Sequence, residues 1–283
     1  MKILLTGSGG FIGKNLKFYL QGKHQLLTPR SFELDLTNKE AVKEYFKTND
    51  IDFIIHCGSI GGAREIADKD TTIEDNLAMV DNILLNQKTE TKIILFGSGA
   101  MYDKSRNLHK VKETEIGKFV PYDLYGKSKL LIYEKIKDRN DVLMLNIFAC
   151  YGYDEKETRF PSYAINQIIK GENININQNV IFDYLFVEDL EQIVEYFINN
   201  MPQDNIINIT PTQSSSLLEI ANIVKNISKK DININVLNPK MNNEYTGDNS
   251  LLLKNYSKIK FTSLENGLKK LYEYNKQKLL MEE

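Results

Sequence analysis

Cysteine and histidine are scarce in this 283-residue chain: Cys57 and Cys150 are its only cysteines, and His24, His56 and His109 its only histidines. Each cysteine lies within an apolar run, so no disulfide framework is expected and the reducing cytoplasm is the expected compartment. The histidines are scattered, and no metal-ligand cluster can be drawn from them. A surplus of one charge is missing too. Lys and Arg number 36 against 38 Asp and Glu, a formal charge of −2. The two signs are mixed along the chain, which offers no general attraction to nucleic acid or to an anionic membrane. No window approaches the roughly 20 uninterrupted apolar residues of a membrane helix. The opening MKILLTGSGGFIG has the lysine and short apolar stretch of a signal peptide, but it runs into a glycine-rich turn with no small-residue cleavage site after it. What remains is an ordinary globular composition, 42% hydrophobic and 26% charged. The length suits one large domain, or a domain with a smaller companion.

Short apolar runs alternate with helical patterns through the first half. Strands are expected at Lys2–Thr6, Leu26–Thr28, Ile51–His56, Lys92–Phe96 and Val142–Phe148. Helices are expected at Phe11–Leu20, Asn38–Lys47, Thr71–Leu85 and Tyr122–Lys137, the second capped by Thr37 or Asn38. This alternation implies an α/β fold with right-handed crossovers and a doubly wound parallel sheet. The near-continuous apolar runs IDFIIH, KIILF and VLMLNIF agree, because central parallel strands are buried on both faces. After Tyr151 the pattern loosens, with two helices expected at Leu217–Ile227 and Leu264–Tyr274. The reading is a sheet domain over residues 1–150 and a smaller, mainly substrate-binding lobe over 151–283. No linker separates them, so the boundary is soft and segments are free to cross it.

TGSGGFIG places Gly7, Gly10 and Gly13 directly after the first strand, where Phe11 and Ile12 open the first helix. Glycines there permit a tight turn and let the backbone approach a pyrophosphate, while the helix N-terminus offers N–H groups and a partial positive charge. Gly13 lets the helix pack close to the sheet. The end of the second strand decides between dinucleotides: a carboxylate there would bind both ribose hydroxyls of NAD, whereas LLTPRSFE offers Arg30, whose guanidinium suits a 2′-phosphate. NADP(H) is the expected cofactor, with NAD(H) the alternative and a solvated loop arginine the competing reading of Arg30.

PYDLYGKSK puts Tyr125 and Lys129 four residues apart on one helix face. A free phenol, with a pKa near 10, exchanges protons poorly at neutral pH, and a neighbouring ammonium favours its phenolate. Tyr125 can then give a proton to a carbonyl oxygen or take one from an alcohol, and Lys129 can also hydrogen-bond the nicotinamide ribose. Tyr122 is a decoy, because Gly126 stands four residues beyond it.

Together the Gly7-x-x-Gly10-x-x-Gly13 spacing, the Tyr125–Lys129 pair and GSGAMYD after the strand KIILF resemble the extended short-chain dehydrogenases, the NAD-dependent epimerase/dehydratase family with a Rossmann-type sheet. The resemblance implies that Ser98 is the third catalytic hydroxyl, orienting the substrate oxygen. It implies that Asp35 and Leu36 in ELDLTN flank the adenine, that Cys57, Gly58 and Ser59 in IIHCGS lie beside the cofactor, and that Asn76 in IEDN faces it. FDYLFVEDL, SLLEIANIV and FTSLENGLKKLYEY resemble C-terminal elements of the family, which commonly dimerises through the helices at Thr71–Leu85 and Tyr122–Lys137. Within it, ELDLTNKEAVKEYF and Ile60–Gly62 are most similar to GDP-fucose synthase and related nucleotide-sugar 4-ketoreductases, implying a nucleoside diphosphate-linked 4-keto-6-deoxy sugar as substrate.

Three departures qualify that resemblance. The epimerising members carry a Cys two residues after the catalytic Ser and a His further on; Ala100 and a position near Lys170 stand there instead. Phe182 replaces the usual Arg before the Asp of FDYLF, and Arg159 either supplies the missing charge or is a loop residue. Ala149 and Cys150 stand where an Asn usually precedes Tyr151-Gly152. The expected function is therefore NADPH-dependent reduction of a keto sugar without epimerisation, with Ser98, Ala100, Tyr102, Phe148 and Arg159 lining the substrate. The alternatives are a 4-epimerase with tightly held NAD⁺, a dehydratase (disfavoured because Gly99-Ala100 offers no acid pair), and a non-catalytic NADP-sensing protein.

Overall fold

The apolar runs of the first half become the interior of one sheet. In the computed structural model, which describes residues 1–62 and 67–282, six strands lie in the order Ile206–Ile209, Val142–Ile147, Lys92–Ser98, Phe53–His56, Lys2–Thr6 and Gln25–Leu27. From Val142–Ile147 to Gln25–Leu27 every neighbouring pair is parallel. Phe53–His56 and Val142–Ile147 are buried at each position, as strands covered on both faces must be. Each large aliphatic side chain fully buried here contributes roughly 1.5–3 kcal/mol. The register sets Thr6 opposite His56, His56 opposite Leu95 and Ser98 opposite Ile147. The carboxyl ends of these strands therefore share one edge, the edge at which open α/β sheets bind their ligands.

Two compact units make up the chain. The first holds Met1–Ser105, Lys112–Ile147 and Ile193–Asn208; the second holds Arg106–Val111, Phe148–Gln192 and the residues from Ile209 onward. The sixth strand of the large sheet, Ile206–Ile209, thus comes from well beyond residue 150. Helices of the first unit lie at Phe11–Leu20, Lys39–Thr48, Thr72–Asn86 and Leu124–Ile136. Asn38, not Thr37, caps the second of these, its side-chain oxygen accepting from the Ala41 N–H at 3.1 Å.

The second unit is more helical than its sequence suggests. Besides the helices starting at Leu217 and Leu264 it contains Phe160–Lys170 and Ser250–Asn255, and Val187–Asn199 begins within it. Pro161 reads as a breaker but stands in the first turn of its helix, where no N–H is needed. Val187 follows the strand Tyr184–Phe186 without a turn residue, so no punctuation marks that helix start. Ile165, Ile168, Ile220, Val224, Leu268 and Leu271 form the core between these helices. A four-stranded sheet in the order Ser215–Ser216, Ile181–Phe182, Tyr245–Gly247 and Leu108–Val111 completes the unit, with two small parallel pairs. No helix among the described residues is long and apolar enough to cross a membrane.

Candidate active site

At the carboxyl end of Lys2–Thr6 the chain turns through Gly7 at φ +68°, and a Cβ there would stand 2.5 Å from the Gly58 nitrogen. A Cβ on Gly13 would overlap the Gly7 carbonyl oxygen. Only glycine permits both approaches. Gly10 caps the helix Phe11–Leu20 without a side-chain hydrogen bond, so the first-turn N–H groups, including those of Phe11 and Ile12, are left to a ligand. A cradle of this shape fits the diphosphate of a dinucleotide. Arg30 lies over it: a Cβ on Gly9 would stand 2.7 Å from the guanidinium. The Arg30 N–H donates to Glu33 Oε2 at 2.7 Å, which fixes the turn carrying the guanidinium.

Asp35 is exposed, and its Oδ1 accepts from the N–H and hydroxyl of Thr37 at 2.9 and 2.8 Å. Leu36 beside it is buried, its carbonyl bonded by Asn82 Nδ2 at 2.9 Å. This is a turn leading into a helix, with Leu36 as its apolar anchor. Cys57, Gly58 and Ser59 continue from the strand Phe53–His56, with Ser59 exposed. Beneath them His56 Nδ1 pairs with Thr6 Oγ1 at 2.7 Å. Burial and the nearby Lys129 ammonium hold the His56 imidazole down to about 3, and desolvation raises the Cys57 thiol.

Asn76 corrects an expectation. Its Oδ1 accepts from the Ile60 N–H at 2.8 Å, and its Nδ2 donates to the Ile60 carbonyl at 2.8 Å and to Ser128 Oγ at 3.1 Å. Both amide protons go to protein groups, so Asn76 holds the loop after His56 against the helix Leu124–Ile136 instead of facing a cofactor.

Ser98 ends its strand, and its Oγ accepts from the Ala100 N–H at 3.2 Å. Its own O–H proton is left to be donated. Asp123 caps the helix Leu124–Ile136 by accepting from the Gly126 N–H. On that helix Lys129 is buried, with Nζ 5.5 Å from the centroid of the Tyr125 ring and donating to the Phe96 carbonyl at 2.9 Å. Desolvation lowers the Lys129 ammonium to about 8, close to neutral pH, where a proton-handling group is most useful. Ser128 Oγ donates to the Tyr125 carbonyl at 2.8 Å.

Tyr102 is a second correction. It is buried, and its hydroxyl donates at 2.7 Å to Asn208 Oδ1, which also accepts from Asn146 Nδ2 at 2.9 Å. It ties the turn Gly99–Tyr102 to the strands Val142–Ile147 and Ile206–Ile209, and its hydroxyl is not free for substrate. In the second unit Phe148 is buried against Tyr245, ring centroids 5.2 Å apart, while Arg159 is exposed before the helix Phe160–Lys170. Phe182 packs on Tyr184 and Tyr245, so no charge stands at that position. Asp68 was missed by sequence reading: its Oδ1 accepts from the Gly62 N–H and its Oδ2 from the Tyr125 N–H, both at 2.9 Å. No local pattern marks a carboxylate that joins two distant backbone segments.

Residues 3–210 match the NAD dependent epimerase/dehydratase family. GDP-L-colitose synthase of Yersinia pseudotuberculosis is 27% identical over 254 residues, covering 80% of this chain and 82% of that protein. GDP-L-fucose synthase of Azorhizobium caulinodans is 33% identical over 106 residues, 36% of this chain and 34% of that one. The GDP-mannoheptose C4 reductase of Campylobacter jejuni, solved with NADP bound, superimposes with a TM-score of 0.80 at 23% identity over 97% of this chain and 98% of its own. The glycine cradle, the parallel sheet and the match over most of the chain lead to one statement: the protein belongs to the NAD-dependent epimerase/dehydratase family, enzymes of the extended short-chain dehydrogenase type that use a nicotinamide cofactor.

Proposed function

We propose that this protein is an NADPH-dependent reductase of a nucleoside diphosphate-linked 4-keto-6-deoxy sugar, and that it does not epimerise its substrate. The observation that carries the reading is the buried Lys129 ammonium beside the Tyr125 ring, on the helix that follows Ser98. When bound, the cofactor supplies the hydride that the keto carbon accepts. Ser98 donates its hydroxyl proton in a hydrogen bond to the carbonyl oxygen and orients it. Tyr125 gives that oxygen its phenolic proton, the Lys129 ammonium stabilises the phenolate left behind, and a proton from solvent restores it. The product is the corresponding alcohol and oxidised cofactor.

Two residues support the finer points. Arg30 over the cradle favours a 2′-phosphate and hence NADP. Ala100, 3% exposed, stands two residues after Ser98 where an epimerising enzyme would place a thiol; a methyl group can neither remove nor return a proton at a sugar carbon. Names among the relatives, a GDP-L-colitose synthase and a GDP-mannoheptose C4 reductase, favour a GDP-linked substrate. Exposed Leu85 and Leu131, on the helices Thr72–Asn86 and Leu124–Ile136, suit a homodimer.

The test is NADPH consumption by the purified protein against a panel of GDP-, CDP-, dTDP- and UDP-linked 4-keto-6-deoxy sugars. The expected result is stoichiometric oxidation with at least one of them. A protein that purifies with one equivalent of NAD⁺ and consumes no NADPH on any member would overturn the reading in favour of a 4-epimerase.

A further inference from the structure

We infer that Asp68 is a positioning residue for Tyr125: its carboxylate clamps the Ile60–Gly62 loop to the first turn of the helix Leu124–Ile136 and so fixes the aim of the phenol. The inference deepens the reading of Tyr125 as proton donor and rests on it.

Tyr125 is the second residue of its helix, where a backbone N–H has no intrahelical acceptor. Asp68 Oδ2 takes that N–H at 2.9 Å, and Oδ1 takes the Gly62 N–H at 2.9 Å. One carboxylate thus bridges two segments more than 60 residues apart in sequence. The loop end it holds is pressed against the reactive side chain: a Cβ on Gly62 would stand 2.9 Å from Cδ1 and Cε1 of the Tyr125 ring. Gly61 and Gly62 have φ of +90° and +74°, and a Cβ on Gly61 would stand 2.6 Å from Asp68 Oδ1. Both glycines are therefore needed for the carboxylate and the ring to approach this loop.

The same loop is tied from its other end. Asn76 holds both backbone groups of Ile60 and donates to Ser128 Oγ, which donates in turn to the Tyr125 carbonyl at 2.8 Å. The peptide groups on either side of the Tyr125 Cα are thereby fixed to one loop, the N–H through Asp68 and the carbonyl through Ser128 and Asn76. The loop backbone against one face of the ring then limits its rotation. A proton donor must be held close to its productive geometry, and a displacement of about 1 Å is enough to cost about a hundredfold in rate.

The clamp needs two acceptor oxygens on one residue. Asp68→Asn presents one carbonyl oxygen and one NH₂, so it can accept from Gly62 or from Tyr125 but not both. D68N is expected to lower kcat by about ten- to a hundredfold while the KM for the keto sugar and the Kd for NADPH stay within about threefold, since neither Asn nor Asp here is asked to touch them. Asp68→Ala removes both acceptors and carries the same expectation if D68N does not accumulate. A kcat within about twofold of wild type, or a loss that falls on KM and NADPH binding instead, would overturn the inference.

A second measurement needs no turnover. In protein labelled with ¹³C at the tyrosine Cζ and saturated with NADPH, the Tyr125 resonance is assigned by its absence in Tyr125→Phe. D68N is expected to shift or broaden that resonance and leave in place those of Tyr151 and Tyr272, both buried in the core of the second unit with Ile165 and Leu268. An unmoved Tyr125 signal would sink the clamp even where wild-type turnover is strong. Absent wild-type turnover with a displaced signal would sink the reductase reading alone.

Discussion

Lys129 Nζ stands 5.5 Å from the centroid of the Tyr125 ring, buried, with its hydrogen bond to the Phe96 carbonyl at 2.9 Å. Among the described residues no carboxylate is in hydrogen-bond contact with the buried ammonium, and desolvation brings it down to about 8. A lysine is charged below its pKa, so the charge that would stabilise the phenolate left by proton transfer is present at neutral pH and is lost as pH rises through about 8. The kcat/KM for keto-sugar reduction should therefore fall above pH 8 in the wild type. In Lys129→Met the rate should be lower throughout and that limb absent. A wild-type profile flat to pH 9.5 would show that Lys129 does not act through its charge.

Gly13 and Gly10 should separate folding from cofactor binding. A Cβ on Gly13 overlaps a backbone oxygen, whereas one on Gly10 would lie 3.5 Å from the Gly7 oxygen at a φ of −81° that any residue adopts. Gly13→Ala is expected to lower stability by about 1–3 kcal/mol through overpacking, measured by denaturant unfolding. Gly10→Ala should leave stability nearly unchanged but weaken NADPH by at least about tenfold, because its methyl occupies the space a pyrophosphate approaches.

Arg30 should set the choice of dinucleotide. Arg30→Ala removes the guanidinium over Gly9 and is expected to raise the KM for NADPH about tenfold, in line with about 1.5–3 kcal/mol for a hydrogen bond to a charged group, while the KM for NADH barely moves. Equal losses for both cofactors would assign Arg30 to the loop alone.

Glu155 gives the second unit its own pH dependence. Its Oε1 accepts from the Ser162 N–H at 3.0 Å while Oε2 is buried, and burial pushes the carboxyl up to about 8 from 4.5. Between those values the folded chain binds more protons than the unfolded one, so stability is full below pH 4.5, declines as pH rises and levels off above 8. The contribution is a few kcal/mol, at about 1.4 kcal/mol per pH unit. Glu155→Gln should flatten the stability curve over that window. An unchanged slope in the variant would remove Glu155 as its cause.

Much of this was legible in the sequence because it is local. The apolar runs, the glycines between Thr6 and Lys14, and the i, i+4 spacing of Tyr125 and Lys129 each carry their geometry within one or two elements. What escaped depends on distance. Ile206–Ile209 joins the large sheet from beyond residue 150, and nothing near it announces which sheet it will enter. Asn76, which the family resemblance sets beside the cofactor, and Tyr102, expected at the substrate, are held instead by Ser128 and Asn208 from 52 and 106 residues away. Asp68 sits among other polar residues, and its value lies in two backbone N–H groups that sequence does not mark.

The most direct test of reduction without epimerisation follows two hydrogens at once. The protein is incubated in D₂O with its 4-keto sugar and unlabelled NADPH, and in parallel in H₂O with NADPH deuterated at the transferable C4 position. Reduction without epimerisation gives one deuterium at the former keto carbon in H₂O, none at the neighbouring carbons in D₂O, and loss of both turnover and transfer in Tyr125→Phe. Solvent deuterium at a carbon beside the carbonyl, or turnover with no deuterium delivered from the cofactor, would contradict it.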